Sequence, residues 1–164
     1  MMRYADAICA ANPSLHRDLL QSGVLFHDCG KLWENCIEEG GFAMPFDERG
    51  ELLGHINIGI ELVNTLWRTL PLEDWQDLQP ESEDVRLHLL HLIAAHHGEL
   101  QFGSPVQPKT PEAVALHYID NLDAKLEMLA RGYEGGPTVA GRIYDKVKPL
   151  NVRLVAPLGL PPRA

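Results

Sequence analysis

The sequence predicts an all-α fold, a bundle of about five main helices followed by an extended C-terminal arm. Three observations carry that expectation. Apolar residues recur at helical spacing, as at Ile56, Ile60, Val63 and Leu66. Helix punctuation surrounds such segments: Ser14, Gly30 and Thr110-Pro111-Glu112 stand where caps and first turns belong. From Gly132 onward those signals give way to Gly135-Gly136-Pro137, Pro149, Pro157 and Pro161-Pro162. At 164 residues and 45% apolar content, the chain is long enough to close one hydrophobic core without disulfides.

In order along the chain, a short first helix covers Met2 to Ala11 and stops at Asn12-Pro13. Ser14 is expected to cap the next, which carries Leu19, Leu20, Val24 and Leu25 and ends near His27-Asp28 and Gly30. Residues 38–50 read as a loop, and a third helix is expected from Leu52 to Leu70. Pro71 to Pro80 is a connector. The span Glu81 to His97 holds Val85, Leu89, Leu90, Leu92 and Ile93 and should be buried on several sides. Gly98 to Pro111 reads as a loop, and Pro111 opens a last helix that runs to about Arg131. The expected organisation is a domain over residues 1–131 and a partly irregular extension over 132–164.

Charge and composition narrow the function. The formal net charge is −9, from 14 basic and 23 acidic residues, which makes a poor sequence-independent binder of a polyanion. No apolar run approaches the roughly 20 residues of a membrane helix, so no membrane association is expected. The N-terminus lacks the pattern of a signal peptide. Cys9, Cys29 and Cys36 are odd in number and form no Cys-x-x-Cys pair, which fits free thiols and a cytoplasmic location.

Eight histidines are present, and their placement matters more than their number. His27-Asp28, His55, His96-His97 and Asp120 lie at or near predicted helix ends or on one helix face. A helical bundle that gathers them makes a mixed imidazole and carboxylate site. Such donors suit one or two divalent transition-metal ions, Mn, Fe, Co, Ni or Zn. Bland readings exist for each: helix-end imidazoles satisfy the helix dipole, and His55 after Gly54 could be a surface residue. Asp120, amid Leu116, Ile119 and Leu122, is hard to bury without a partner. For His88 and His91 a helix flank is the better reading, whereas His117 divides evenly between a supporting role and simple packing. Asp123 and Glu127 read as a solvated or lysine-paired face. Cys29 reads as packing, and Trp33, Trp67 and Trp75 as anchors rather than base-stacking platforms.

The segment Leu25-Phe26-His27-Asp28-Cys29-Gly30-Lys31 resembles the signature of the HD superfamily of metal-dependent phosphohydrolases. The likeness continues through Gly54-His55, His96-His97-Gly98-Glu99, Phe102-Gly103-Ser104-Pro105-Val106 and His117-Tyr118-Ile119-Asp120-Asn121-Leu122-Asp123. That order is similar to the HD domain of YhaM-type bacterial 3′-to-5′ exoribonucleases. The resemblance implies an HD-type bundle with His27, Asp28, His55, His96, His97 and Asp120 as metal ligands. Asp28 would bridge, Lys31 would hold the substrate phosphate, and water activated by the metal would attack phosphorus. The implied substrate is a phosphate ester, either a nucleotide or the end of a single-stranded nucleic acid. A homo-oligomer, or a separate OB-fold or upstream segment, is the implied partner.

One departure bears on activity. HD domains begin with a further histidine ligand on an earlier helix, and only Met1-Met2-Arg3 stands at that place here. His16 does not replace it, because eleven helical residues separate it from His27 by about 16 Å. A fragment, a site that binds one metal well, or a degenerate member would each produce this pattern. The alternatives to an exoribonuclease-like enzyme are therefore a small-nucleotide phosphohydrolase and an inactive remnant acting as a binding module.

Overall fold

A computed structural model of the chain describes residues 1–34, 47–72, 79–146 and 148–159. The expected loop over 38–50 lies mostly outside them, as do Cys36 and Trp75. The described elements are α1 (Met2–Ala11), α2 (Arg17–Phe26), α3 (Lys31–Glu34), α4 (Glu48–Trp67), α5 (Ser82–Ala95), α6 (Pro111–Gly135), and three short strands. The strands are β1 (Thr138–Ala140), β2 (Ile143–Tyr144) and β3 (Leu154–Val155). The chain divides into two compact units, Met1–Ile119 and Asp120–Ala164.

In the first unit α2 packs on both α1 and α5, while α4 packs on α3 and α5. Leu20, Ile58, Leu92, Ile93, Leu116 and Ile119 are almost wholly buried, and each such side chain contributes about 1.5–3 kcal/mol by leaving water. Small residues set how closely the helices approach. A β-carbon on Gly23 would run into the Leu92 side chain, so α2 can lie directly on α5 there.

Several local details depart from the sequence reading. Ser14 does not cap α2. His16 does, its Nδ1 accepting from the Leu19 amide at 3.2 Å. The His16 amide in turn donates to the buried Glu112 carboxylate at 2.9 Å, a tertiary contact that decides which residue ends the turn. The helix expected from Leu52 begins earlier, at Glu48, because the Asp47 carboxylate accepts from the Arg49 amide at 2.8 Å. It also breaks at Gly54, whose φ of +70° interrupts the helix just before His55. Leu66, which continues the helical spacing of Ile56, Ile60 and Val63, is 49% exposed.

The second unit takes up the later turns of α6 and the strands. β2 pairs antiparallel with β1 and with β3. Tyr144, Leu154 and Ala156 form a small core with Leu129, Tyr133 and Leu150. The extended C-terminal arm is thus a three-stranded sheet of very short strands. Glu127 is exposed and paired with Arg131 at 2.7 Å, in line with a solvated face.

Candidate metal centre

The signature His27-Asp28 lies in the turn that follows α2, with His27 as the helix C-cap. The turn continues into α3, so Lys31 returns to the side of Asp28, three residues away. Its ammonium meets Asp28 Oδ2 at 2.8 Å. Gly30 lets this turn rest against α4: a β-carbon there would collide with the His55 carbonyl oxygen and stand 2.8 Å from the Gly59 amide nitrogen. Direct backbone contact thus places His55, at the restart of α4 after Gly54, beside Asp28. His96 and His97 follow the last turn of α5.

Three imidazoles converge on one carboxylate. The Nε2 atoms of His27, His55 and His96 stand 3.4, 3.5 and 3.6 Å from the Asp28 oxygens. His55, His96 and His97 also offer ligand atoms that lie within 4.8 Å of one another. Hydrogen bonds to oxygen cluster at about 2.9 Å. Two ligands each about 2.1 Å from a shared cation stand roughly 3–3.5 Å apart, close to the spacing found here.

The other ring nitrogens are occupied. His27 Nδ1 donates to the Val24 carbonyl at 3.0 Å, His96 Nδ1 to Ile93 at 2.7 Å, and His97 Nδ1 to Phe102 at 2.8 Å. With the proton on Nδ1, Nε2 carries the lone pair that can bind a cation, the orientation that supporting carbonyls give to metal-bound histidine. Burial isolates the cluster: His96 is 1% exposed and His27 5%. His96 Nε2 and Asp28 Oδ1 are buried polar atoms with no hydrogen-bond partner among the described residues. Two such atoms facing each other would each be costly, and a divalent cation satisfies both.

Charge follows the same logic. Burial alone would raise the Asp28 carboxyl, but His27, His96 and Lys31 outweigh it and hold the group well below the usual carboxylate range. Burial, with Lys31 nearby, pushes the His55 imidazole down to about 4. Burial and the adjacent His96 also lower His97. The cluster is therefore a carboxylate beside imidazoles, two of which, His55 and His97, burial pushes toward the neutral form, a donor set that fits a transition-metal cation.

The remaining histidines sort by contact. His16 is a helix cap, and His88 is exposed on α5. His91 Nε2 accepts from the Lys109 amide at 2.9 Å. His117, undecided from sequence, donates through Nδ1 to the carbonyl of His96 at 2.9 Å and thereby braces the residue that carries a candidate ligand. A β-carbon on Gly98 would run into the His117 ring. Asp120, half-buried on α6, opens the second unit. Two supporting elements escaped the sequence reading, the carbonyls that lock the rings and the hydroxyl of Ser104. Ser104 is 4% exposed and donates toward the Ala94 and Val106 carbonyls. The loop itself was legible in the sequence as Gly98 to Pro111, but not the role of the Ser104 hydroxyl.

Among the described residues no helix is long and apolar enough to cross a membrane. Cys9 and Cys29 are free thiols. The family model described as HD domain matches residues 1–125. The chain is similar to the 3′-5′ exoribonuclease YhaM of Bacillus subtilis (strain 168), at 45% identity over 134 residues. It is also similar to the 3′-5′ exoribonuclease YhaM of Bacillus velezensis, at 44% identity over 134 residues. Each alignment covers 82% of this chain and 39% of the relative, so the chain spans well under half the length of these relatives. No solved structure matches it. With the match extending across His27-Asp28, His55 and His96-His97, the chain belongs to the HD-domain family.

Proposed function

We propose that this chain is a metal-dependent phosphohydrolase that cleaves phosphodiesters in the manner of a 3′-to-5′ exoribonuclease. The observation that carries the reading is the convergence of the His27, His55 and His96 Nε2 atoms on the Asp28 carboxylate, two of the three rings pinned at Nδ1. His27, Asp28, His55, His96 and His97 would hold the cation, and Asp120 is the further ligand expected from sequence. Mn, Fe, Co, Ni and Zn all suit these donors. When bound, the metal supplies Lewis acidity and lowers the pKa of water at the site.

The protein's own groups have distinct tasks. Asp28, kept ionised, balances the cation's charge. The imidazoles of His27, His96 and His97, each bonded to a carbonyl at Nδ1, would present Nε2 to the cation. Lys31 is 43% exposed at its side chain and uses one N–H on Asp28, which leaves two for a phosphoryl oxygen. It would orient the phosphate and offset negative charge that grows during in-line displacement. The chemistry is assigned to residues 1–131, with 132–164 as an appendage. Free thiols fit a reducing cytoplasm. A second copy or an additional segment bearing basic residues is the partner this acidic chain would need on long RNA.

Purified protein supplemented with manganese should shorten a labelled single-stranded RNA from its 3′ end. Asp28→Ala should abolish that activity, and undiminished turnover would remove the mechanism. The net charge of −9 favours a second reading, hydrolysis of small nucleotides. Turnover of a mononucleotide panel with an intact oligonucleotide would select it. Failure to retain metal after dialysis would favour an inactive binding module.

A further inference from the structure

The loop that follows His97 carries a large aromatic side chain in an unusual position. Phe102 is 60% exposed, yet its backbone carbonyl accepts from Nδ1 of His97 at 2.8 Å. The residue's backbone is thus tied to a candidate metal ligand while its side chain is largely exposed to solvent. The loop is firmly held. Residues Leu100–Phe102 form a single 3-10 turn closed by Gly103 in the left-handed region. The Ser104 amide returns to the Glu99 carbonyl at 3.3 Å, and the buried Ser104 hydroxyl reaches Ala94 at 3.1 Å and Val106 at 2.7 Å. An aromatic ring left in water on a braced loop is open to stacking by a ligand.

The chain's charge indicates what that ligand should be. A chain with 23 acidic and 14 basic residues gains little from phosphate attraction beyond the metal centre and Lys31, so the rest of a nucleotide needs a hold that charge does not supply. Base stacking on an aromatic ring is such a hold, and it tolerates every base. The other exposed aromatics of the first unit serve less well. Trp33 lies against α4 among Ile58, Leu62 and Thr65, and the Tyr118 ring packs on His117 at 5.0 Å between centroids.

We propose that Phe102 is a specificity-determining residue, the platform on which the base of the scissile nucleotide stacks while its phosphate occupies the metal centre. This rests on the phosphodiesterase reading and adds to it the residue that would select base-bearing over abasic phosphodiesters. Pre-ordering of the loop means that the ring need not be organised on binding.

The test is calorimetric binding to full-length, manganese-loaded protein. The two probes are a phosphorothioate-linked adenosine dinucleotide and the same compound with an abasic 3′ residue. The wild type should prefer the base-bearing probe. Phe102→Ala should bind it roughly 5- to 150-fold more weakly, bind the abasic probe unchanged, and keep its metal. Phe102→Tyr should restore affinity. Equal binding of the two probes by wild type, or full affinity in Phe102→Ala, would overturn the platform. If Phe102→Ala loses metal, the comparison of Phe102→Leu with Phe102→Tyr decides: equal affinities overturn the platform and a preference for Tyr supports it. Turnover is measured separately, so a wild type that binds by the base yet hydrolyses no diester sinks the phosphodiesterase reading and leaves the platform standing.

Discussion

Replacing Gly30 by alanine should separate the two halves of the metal centre without touching a ligand. The turn 27–30 lies so close to α4 that an added β-carbon would overlap the His55 carbonyl oxygen and approach the Gly59 amide nitrogen and the His55 carbonyl carbon at 2.8 Å each. These are backbone atoms of a helix and cannot rotate away. Ordinary contact begins near 3.4 Å, so the turn must retreat from α4 by more than the roughly 0.6 Å that the 2.8 Å contacts alone require, carrying His27 and Asp28 away from His55. Overpacking of this kind costs about 1–3 kcal/mol. For a chain of this size that lowers Tm by roughly 2–12 °C. A displacement approaching 1 Å at a catalytic group costs on the order of 100-fold in rate. Thermal denaturation, metal content after dialysis and turnover form the assay. Gly135→Ala is the matched control, since a β-carbon there meets nothing within 4 Å. Wild-type Tm and full metal retention in Gly30→Ala would refute the claim that close backbone approach builds the site.

Two further outcomes follow from the geometry. His117→Ala removes the donor to the His96 carbonyl and should weaken metal binding by about 10- to 100-fold, whereas His117→Asn, which can return an N–H near the Nδ1 position, should recover most of it. Metal titration with a competing chelator decides this, and a wild-type affinity in His117→Ala would rule it out. Metal-free protein should lose stability as pH falls from about 6.5 toward 4. His55 is lowered to about 4 in the folded chain, so the unfolded chain binds more protons across that window, and the stability is present above it. His55→Gln should flatten the profile of Tm against pH, with Lys31, Asp28, His96 and His97 left in place; an unchanged slope would contradict the assignment.

Much of the fold was legible because its signals are local. The periodicity of Ile56, Ile60 and Val63 and the proline at the start of α6 each act over a turn or two of chain. One misreading arose where a distant residue intervened. Ser14 lost the cap of α2 to His16 because Glu112, nearly a hundred residues away, holds the His16 amide. Leu66 satisfied the helical spacing but lies near the end of α4 and is half exposed.

For the candidate site, sequence by itself determined the donor types and their order, and the three-residue step that brings Lys31 onto Asp28. It also supplied the family resemblance, since these motifs are short and contiguous. Tertiary structure alone decided that His27, His55 and His96 face one carboxylate, that backbone carbonyls lock His27, His96 and His97 at Nδ1, and that His117 braces His96. The physical reason lies in range. Helical periodicity specifies which face a residue occupies, but the neighbour across that face is set by how closely backbones can approach. Here that distance depends on the hydrogen atom that Gly30 has in place of a side chain.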